Sequence, residues 1–131
     1  MDQALRNIVW QRAADRCEYC GMPQSAVDAT FHVEHIVARQ HGGDDDPMNI
    51  AFSCDRCNLF KGPNLSSIDS ETGDIVVLFH PRRDVWSDHF KLVGASIRGL
   101  TPTGRATVSL LQMNVPRRRE LRSILMRLGE W

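Results

Sequence analysis

The spacing of apolar residues divides the first half of the chain into short elements. Residues 4–15 repeat apolar positions at helical spacing and predict an amphipathic helix. Short apolar runs at residues 30–36 and 50–53 predict two strands, and the glycine, aspartate and proline content of residues 41–47 predicts a loop between them. A helix is expected next over residues 54–61, because glycine and proline follow it directly.

The second half is predicted to add strands and helices in another layer. Residues 74–80 and 90–98 are apolar enough to form strands, and residues 104–114 and 116–128 have helical spacing. In the last helix we expect one apolar stripe to face the core and the arginines to face elsewhere. The stripe consists of Leu121, Ile124, Leu125 and Leu128.

Length and charge suggest one small domain with an extension. A chain of 131 residues suits this arrangement, and we expect an α+β fold in which residues 1–63 form the core. Residues 64–131 are expected to pack on that core as a β-hairpin and helical extension. The net charge is zero, but the first part carries six Lys/Arg against nine Asp/Glu and the second ten against seven. A basic part beside an acidic one is compatible with contacts to phosphates.

The sequence gives no sign of a membrane partner. No run approaches about 18 consecutive apolar residues, the length that a membrane-spanning helix needs. The chain opens on Met1-Asp2-Gln3 without an apolar signal segment, so a cytoplasmic location is expected. Thiols stay reduced in that compartment.

All four cysteines occur in two pairs with the same short spacing. A C-x-x-C turn can direct two thiolates at one ion, so two such turns suit a tetrahedral structural Zn²⁺ site. Disulfides or a redox pair are the alternative for these residues, and a reducing compartment favours zinc. The four residues are Cys17, Cys20, Cys54 and Cys57.

The residues between and just after the cysteine pairs form an ordered set of motifs. The set comprises Cys17-x-x-Cys20, Val33-Glu34-His35-Ile36, Gly42-Gly43, Asn49-Ile50 and Cys54-x-x-Cys57-Asn58-x-x-Lys61-Gly62. Over about residues 17–62 it resembles the HNH endonuclease superfamily, in its cysteine-bearing branch. The resemblance implies a ββα-metal core, stabilised by the four-cysteine zinc site.

The resemblance also implies a role for each polar residue of the set. His35 would be the general base, and Asn49 would hold it in the correct tautomer and orientation. Glu34 and Asn58 would bind the catalytic cation, and their oxygen ligands favour Mg²⁺ or Mn²⁺. Many members have aspartate where this chain has Glu34, so the longer side chain is a departure that could shift the ion.

Basic residues near this set are candidates for nucleic-acid contacts. Lys61 lies one helical turn after Asn58 and could contact the same phosphate or a neighbouring one. The arginine cluster of the last predicted helix has two interpretations, a solvated face or a contact to the DNA backbone. Its members are Arg117, Arg118, Arg119 and Arg122. Segments around His80 and His89 resemble a tail found in small bacterial HNH proteins.

The expected function is a metal-dependent HNH endonuclease that hydrolyses DNA, with RNA left open as a substrate. One site would cut one strand, so a double-strand break would require a homodimer or two successive nicks. The alternatives are a non-catalytic zinc-stapled nucleic-acid-binding module and a zinc-only interaction adaptor. Base specificity and biological pathway are not determined by these motifs, since such a core contacts the backbone rather than base edges.

Overall fold

The computed structural model describes residues 1–131, which form short helices and strands joined by turns. The helices and strands, in chain order, are α1 (Gln3–Arg12), β1 (His32–His35), β2 (Ile50–Ser53), α2 (Asp55–Lys61), β3 (Ser66–Ile68), β4 (Ile75–Val77), α3 (Trp86–His89), β5 (Phe90–Val93), β6 (Ser96–Gly99), α4 (Pro102–Leu110) and α5 (Pro116–Arg127). The mixture of helices and antiparallel strand pairs confirms the α+β class.

The first strand pair and the helix after it form a ββα unit. β1 pairs antiparallel with β2, and His35 lies opposite Ile50 in the register. α2 begins directly after Cys54, whose sulfur accepts a hydrogen bond from the backbone N–H of Cys57. The observed elements follow the predicted order of strand, loop, strand and helix.

Two further hairpins follow, and they differ from the prediction. The single strand expected over residues 90–98 is wrong, because Gly94 adopts a φ of +59° and turns the chain back into the β5–β6 pair. The strand expected over residues 74–80 is shorter, and β3 is its unpredicted partner, with Ile68 opposite Ile75. The one-turn helix α3 was also not predicted.

One apolar core extends through the ββα unit and the later elements. Tyr19, fully buried in the first cysteine turn, packs edge-to-face on Phe79 with the ring centroids 6.4 Å apart. Its backbone carbonyl accepts a hydrogen bond of 2.8 Å from the indole N–H of Trp86. The core residues from the second half are Phe79, Phe90, Ile97, Leu111, Met113 and Leu125.

The buried face of α5 contains only part of the predicted apolar stripe. Ile124 is 41% exposed and Leu128 is 64% exposed, whereas Arg118 and Arg122 lie inside with Leu125. The helical spacing of residues 118, 122 and 125 puts these three on one face. The stripe is therefore right for Leu125, which is buried, and for Leu121, which packs against the core, and wrong for the other two residues, while two arginines that the prediction placed elsewhere are buried.

The helices of this fold are short. The longest of them, α5, has 12 residues. No helix combines the length and the hydrophobicity that crossing a membrane needs.

Candidate active site and metal centre

The four cysteine sulfurs converge on one point. All four Sγ atoms lie within 4.8 Å of one another, and the Sγ atoms of Cys20 and Cys54 are 3.7 Å apart. Four sulfurs at about 2.3 Å from one tetrahedral Zn²⁺ would be about 3.8 Å apart, whereas disulfide sulfurs are about 2.05 Å apart. None of the four is in a disulfide. The cluster therefore has the dimensions of a metal site.

Backbone turns direct each cysteine pair toward this point. In the first pair, the N–H of Gly21 donates to the carbonyl of Cys17, and Gly21 adopts a φ of +82° that favours glycine. The N–H of Cys20 also points at the Sγ of Cys17, 3.5 Å away. The second pair occupies the start of α2. Local sequence thus shapes each turn, and the fold brings the two turns together.

His35 is held by a carboxylate from the loop between β1 and β2. Its Nε2 lies 2.7 Å from Oδ1 of Asp45, and the same oxygen accepts from Nη2 of Arg39 at 2.8 Å. The hydrogen bond from His35, followed by the positive charge of Arg39, lowers the pKa of Asp45. An ionised carboxylate only accepts hydrogen bonds, so Nε2 donates to Asp45, and in the neutral ring this leaves the lone pair on Nδ1.

Glu34 is a half-buried carboxylate without a hydrogen-bond partner. Its Oε1 is buried and unpaired, and burial raises the pKa of Glu34 to about 7, against an opposing effect of Lys61. Glu34 and His35 are successive strand residues, which point to different sides of β1. An unpaired buried carboxylate oxygen is costly unless a cation or a donor meets it. The residue therefore fits the ligand role that a divalent cation requires.

Asn49 makes no hydrogen bond to the His35 ring, unlike the orienting contact expected from the sequence. Its Oδ1 accepts from the N–H of Val37 at 2.9 Å, and its Nδ2 donates to the carbonyls of Val37 and Asp44. Its own backbone carbonyl accepts from Ile36 at 2.7 Å. Asn49 thus shapes the loop, and the loop in turn supplies the carboxylate that holds the ring.

The loop is tightly packed at one glycine. A Cβ atom built on Gly43 would lie 1.7 Å from the carbonyl oxygen of Val37 and 2.9 Å from Nδ2 of Asn49. No other residue type fits this space without moving the loop. Steric restriction therefore explains why the second residue of the Gly42-Gly43 motif is glycine.

Asn58 lies on α2, half-buried, in the turn of the helix before Lys61. Residues three apart share a helix face, so Asn58 lies on the face of α2 that carries Lys61. Lys61 donates to the backbone carbonyl of Ile36, directly after His35, at 2.9 Å. That contact joins α2 to the end of β1.

Three of the five predicted phosphate-binding residues are buried and are engaged within the protein. Lys61 is 2% exposed, and its ammonium group is held by Ile36. Arg118 and Arg122 are 8% and 0% exposed, and both donate to backbone carbonyls. These three assignments are wrong, because their charges do not reach the surface. Only Arg117 and Arg119 are exposed.

Sequence reasoning missed the hydrogen bond between Asp45 and His35. Asp45 belongs to an aspartate run that has the composition of a soluble loop, and only the fold brings it to His35. A cleft of about 300 Å³ beside this loop is also lined by His80 and by the exposed guanidinium of Arg83.

The comparisons with known proteins agree with this geometry. The model of the HNH endonuclease family matches residues 17–64. These residues form an HNH domain. No curated protein and no solved structure matches the chain. The HNH domain contains both cysteine pairs and the ββα unit, and it indicates a nuclease or other nucleic-acid-related function with a divalent metal.

Proposed function

We propose that this protein is a metal-dependent HNH endonuclease that hydrolyses phosphodiester bonds of DNA. The observation that supports the proposal is the arrangement of side chains at the end of β1. There the ring of His35 is oriented by Asp45, and the half-buried Glu34, the preceding residue of the strand, has no hydrogen-bond partner. A base with a free nitrogen and a cation ligand on adjacent residues are the two groups that phosphodiester hydrolysis needs.

His35 acts as the general base in this proposal. Nδ1 accepts a proton from a water molecule, whose oxygen attacks phosphorus as the bond to the 3′ oxygen breaks. The departing 3′ oxygen takes up a proton from solvent, which leaves 5′-phosphate and 3′-hydroxyl ends. Asp45 accepts the hydrogen bond from Nε2 throughout, so it stabilises the imidazolium that forms.

Glu34 and Asn58 would hold the catalytic cation. A carboxylate and an amide oxygen are ligands that suit Mg²⁺ or Mn²⁺. When bound, the cation neutralises charge on the phosphate and stabilises the leaving oxygen. Its charge would also keep Glu34 ionised, although burial alone raises the pKa of that residue to about 7.

The four cysteines would hold a structural Zn²⁺. The ββα unit is too small to hold together by apolar burial alone, and zinc binding contributes about 10–16 kcal/mol in small zinc peptides. A closed four-sulfur site has no open position for a substrate. We therefore assign zinc to stability and the oxygen-bound cation to the reaction.

A plasmid-nicking assay tests the proposal. Supercoiled DNA is incubated with wild-type protein and Mg²⁺ or Mn²⁺, and the His35→Ala variant is compared in the same buffer. We expect wild type to nick, chelator to stop it, and His35→Ala to lose activity by about 10²- to 10⁴-fold. Binding of DNA and the melting temperature should stay close to wild type.

The exposed His32, on the same strand, gives the matched control. His32→Ala removes an imidazole without touching the Asp45 pair and should nick at the wild-type rate. Normal nicking by His35→Ala would refute the base assignment. No nicking by wild type with either ion would refute the endonuclease itself.

Asn58→Ala tests the cation site. Removing one oxygen ligand should raise the concentration of Mg²⁺ or Mn²⁺ needed for half-maximal nicking, by about 10-fold or more. A titration of rate against metal concentration measures the change. An unchanged titration curve would show that Asn58 is not a ligand.

The alternative to an enzyme is a nucleic-acid-binding module that zinc stabilises and that has no catalytic activity. Salt-sensitive binding of nucleic acid without nicking under any metal condition would support it. The Asp45–His35 pair favours the enzyme, because a module that only binds backbone phosphates has no need for an oriented imidazole.

A further inference from the structure

One buried arginine of α5 contacts the sulfurs of the cysteine cluster. Nη2 of Arg118 lies 3.1 Å from Sγ of Cys57 and 3.9 Å from Sγ of Cys54. Arg118 is 8% exposed, so little water screens the contact. The other donors to these sulfurs are the backbone N–H groups of Cys20 and Cys57. Arg118 is therefore the only side chain that brings a positive charge into contact with the cluster.

Two backbone carbonyls fix the guanidinium in this position. Nη1 of Arg118 donates to Leu111 at 2.6 Å and to Gln112 at 3.1 Å. Both carbonyls follow the end of α4, where backbone oxygens lack helical partners and carry partial negative charge. The guanidinium is thus held between the end of α4 and the second cysteine pair.

Arg122 has the same burial without the contact to sulfur. It lies one turn later on α5, is fully buried, and donates to the carbonyls of Ala95 and Met113 at 2.6 and 2.9 Å. Its guanidinium also lies over the ring of Trp131. The two arginines therefore share a helix, burial and two carbonyl acceptors, and differ in the contact to the cluster.

The net charge of a zinc-loaded cysteine cluster explains why a contact from the positively charged Arg118 matters. One Zn²⁺ and four thiolates carry a formal charge of 2 − 4 = −2, and the four cysteines are buried. A buried net charge is costly unless an opposite charge compensates it. Hydrogen bonds to thiolate sulfurs from outside the ligand set also orient the ligands and adjust metal affinity.

We infer that Arg118 is a positioning residue of the zinc centre, which neutralises part of the thiolate charge and makes α5 an integral part of the metal site. The inference rests on the proposed zinc assignment. An HNH domain of residues 17–64 supplies the four sulfurs, and the extension supplies the charge that they need.

Metal titrations of the full chain test this inference. Zn²⁺ affinity is measured in reducing buffer by competition with a chromophoric chelator, and Co²⁺ loading is followed by its sulfur-to-metal charge-transfer band. We expect Arg118→Met to lower zinc affinity by about 10- to 100-fold and to shift the cobalt band. Arg122→Met, the matched control, should lower the melting temperature but leave zinc affinity and the band close to wild type.

Equal effects of the two variants on zinc affinity would overturn the inference, because Arg118 would then act only through the fold. If Arg118→Met does not fold, Arg118→Lys replaces it, since lysine keeps a charge but cannot reach both carbonyls and the sulfurs. A larger loss of affinity than in Arg122→Met supports the inference, and an equal loss refutes it. Wild-type protein that binds neither ion would refute the zinc site itself, a separate outcome that removes this inference too.

Discussion

His35 and Asp45 define the chemistry of the site at the scale of single residues. Nε2 lies 2.7 Å from Oδ1 of Asp45, and a carboxylate acceptor there favours the neutral tautomer with its proton on Nε2. Without that hydrogen bond the ring could present either nitrogen to water. The orientation of the His35 ring therefore depends on a residue ten positions later in a loop.

Asp45→Asn tests this dependence. The amide can no longer stabilise the imidazolium, and it can present N–H to the ring, so we expect kcat for nicking to fall on the order of 10-fold or more. KM for DNA should change little, because Asp45 acts through His35. Steady-state nicking rates measure both constants.

Asp44→Asn is the matched control for charge in the same loop. Its carboxylate accepts only from the backbone N–H of Asp46, so the catalytic pair stays intact. Equal losses of kcat in the two variants would mean that loop charge, rather than orientation of the ring, controls the rate.

A buried ion pair joins the β3–β4 hairpin to α4 at the scale of elements. Asp69 is fully buried and accepts two bonds from Arg105, Nε to Oδ1 at 2.7 Å and Nη2 to Oδ2 at 3.0 Å. Thr72 and the backbone of Glu71 donate to the same carboxylate. The hydrogen bond from Arg105 is the largest cause that holds the pKa of Asp69 well below its usual range.

This shift predicts a pH-dependent contribution to stability. Because the pKa of Asp69 is lower in the folded state than in the unfolded state, the ionised carboxylate stabilises the fold above the unfolded-state pKa, about 3.9. This contribution to the free energy of unfolding is lost progressively as the pH falls below that value. Asp69→Asn should therefore lower the melting temperature at pH 7, and the difference from wild type should shrink below about pH 4. Thermal unfolding at several pH values measures it.

Asp74→Asn serves as the control in the same hairpin. Asp74 is exposed, so its loss should leave the melting temperature almost unchanged at every pH. A constant difference between Asp69→Asn and wild type from pH 7 down to pH 3 would contradict the ion-pair explanation.

Ten of the sixteen basic residues are exposed on the surface of the whole molecule. Of the arginine cluster on α5, Arg117 and Arg119 alone are exposed. We expect the double variant Arg117→Gln/Arg119→Gln to weaken DNA binding and to reduce the slope of log affinity against log salt by about 1 for each phosphate that the arginines bind in the wild type. The melting temperature should not change, because neither side chain is part of the core.

Lys91→Gln/Arg98→Gln provides the matched control. These exposed residues lie opposite each other on β5 and β6, and their loss removes the same net charge at another surface. If both double variants reduce the slope equally, binding follows net charge rather than contacts from α5. DNA titrations at several salt concentrations separate the two outcomes.

The sequence by itself determined the chemistry that is local. Spacing within each C-x-x-C pair, the strand that ends in Glu34-His35, and the Gly-Pro stop after Lys61 depend on neighbours along the chain. Turn geometry and helix caps act over a few residues, so their signals can be read without a fold. The ββα order and the metal site followed from them.

Tertiary structure decided which charges are inside and which groups meet. Arg118 and Arg122 have the composition of a surface run, yet they are buried because Leu111, Ala95 and Met113 supply carbonyl acceptors from distant elements. No spacing along the chain encodes those partners. A charged side chain can be buried when hydrogen-bond acceptors surround it. Only the packed fold places acceptors around Arg118, and only the packed fold brings a loop aspartate to His35.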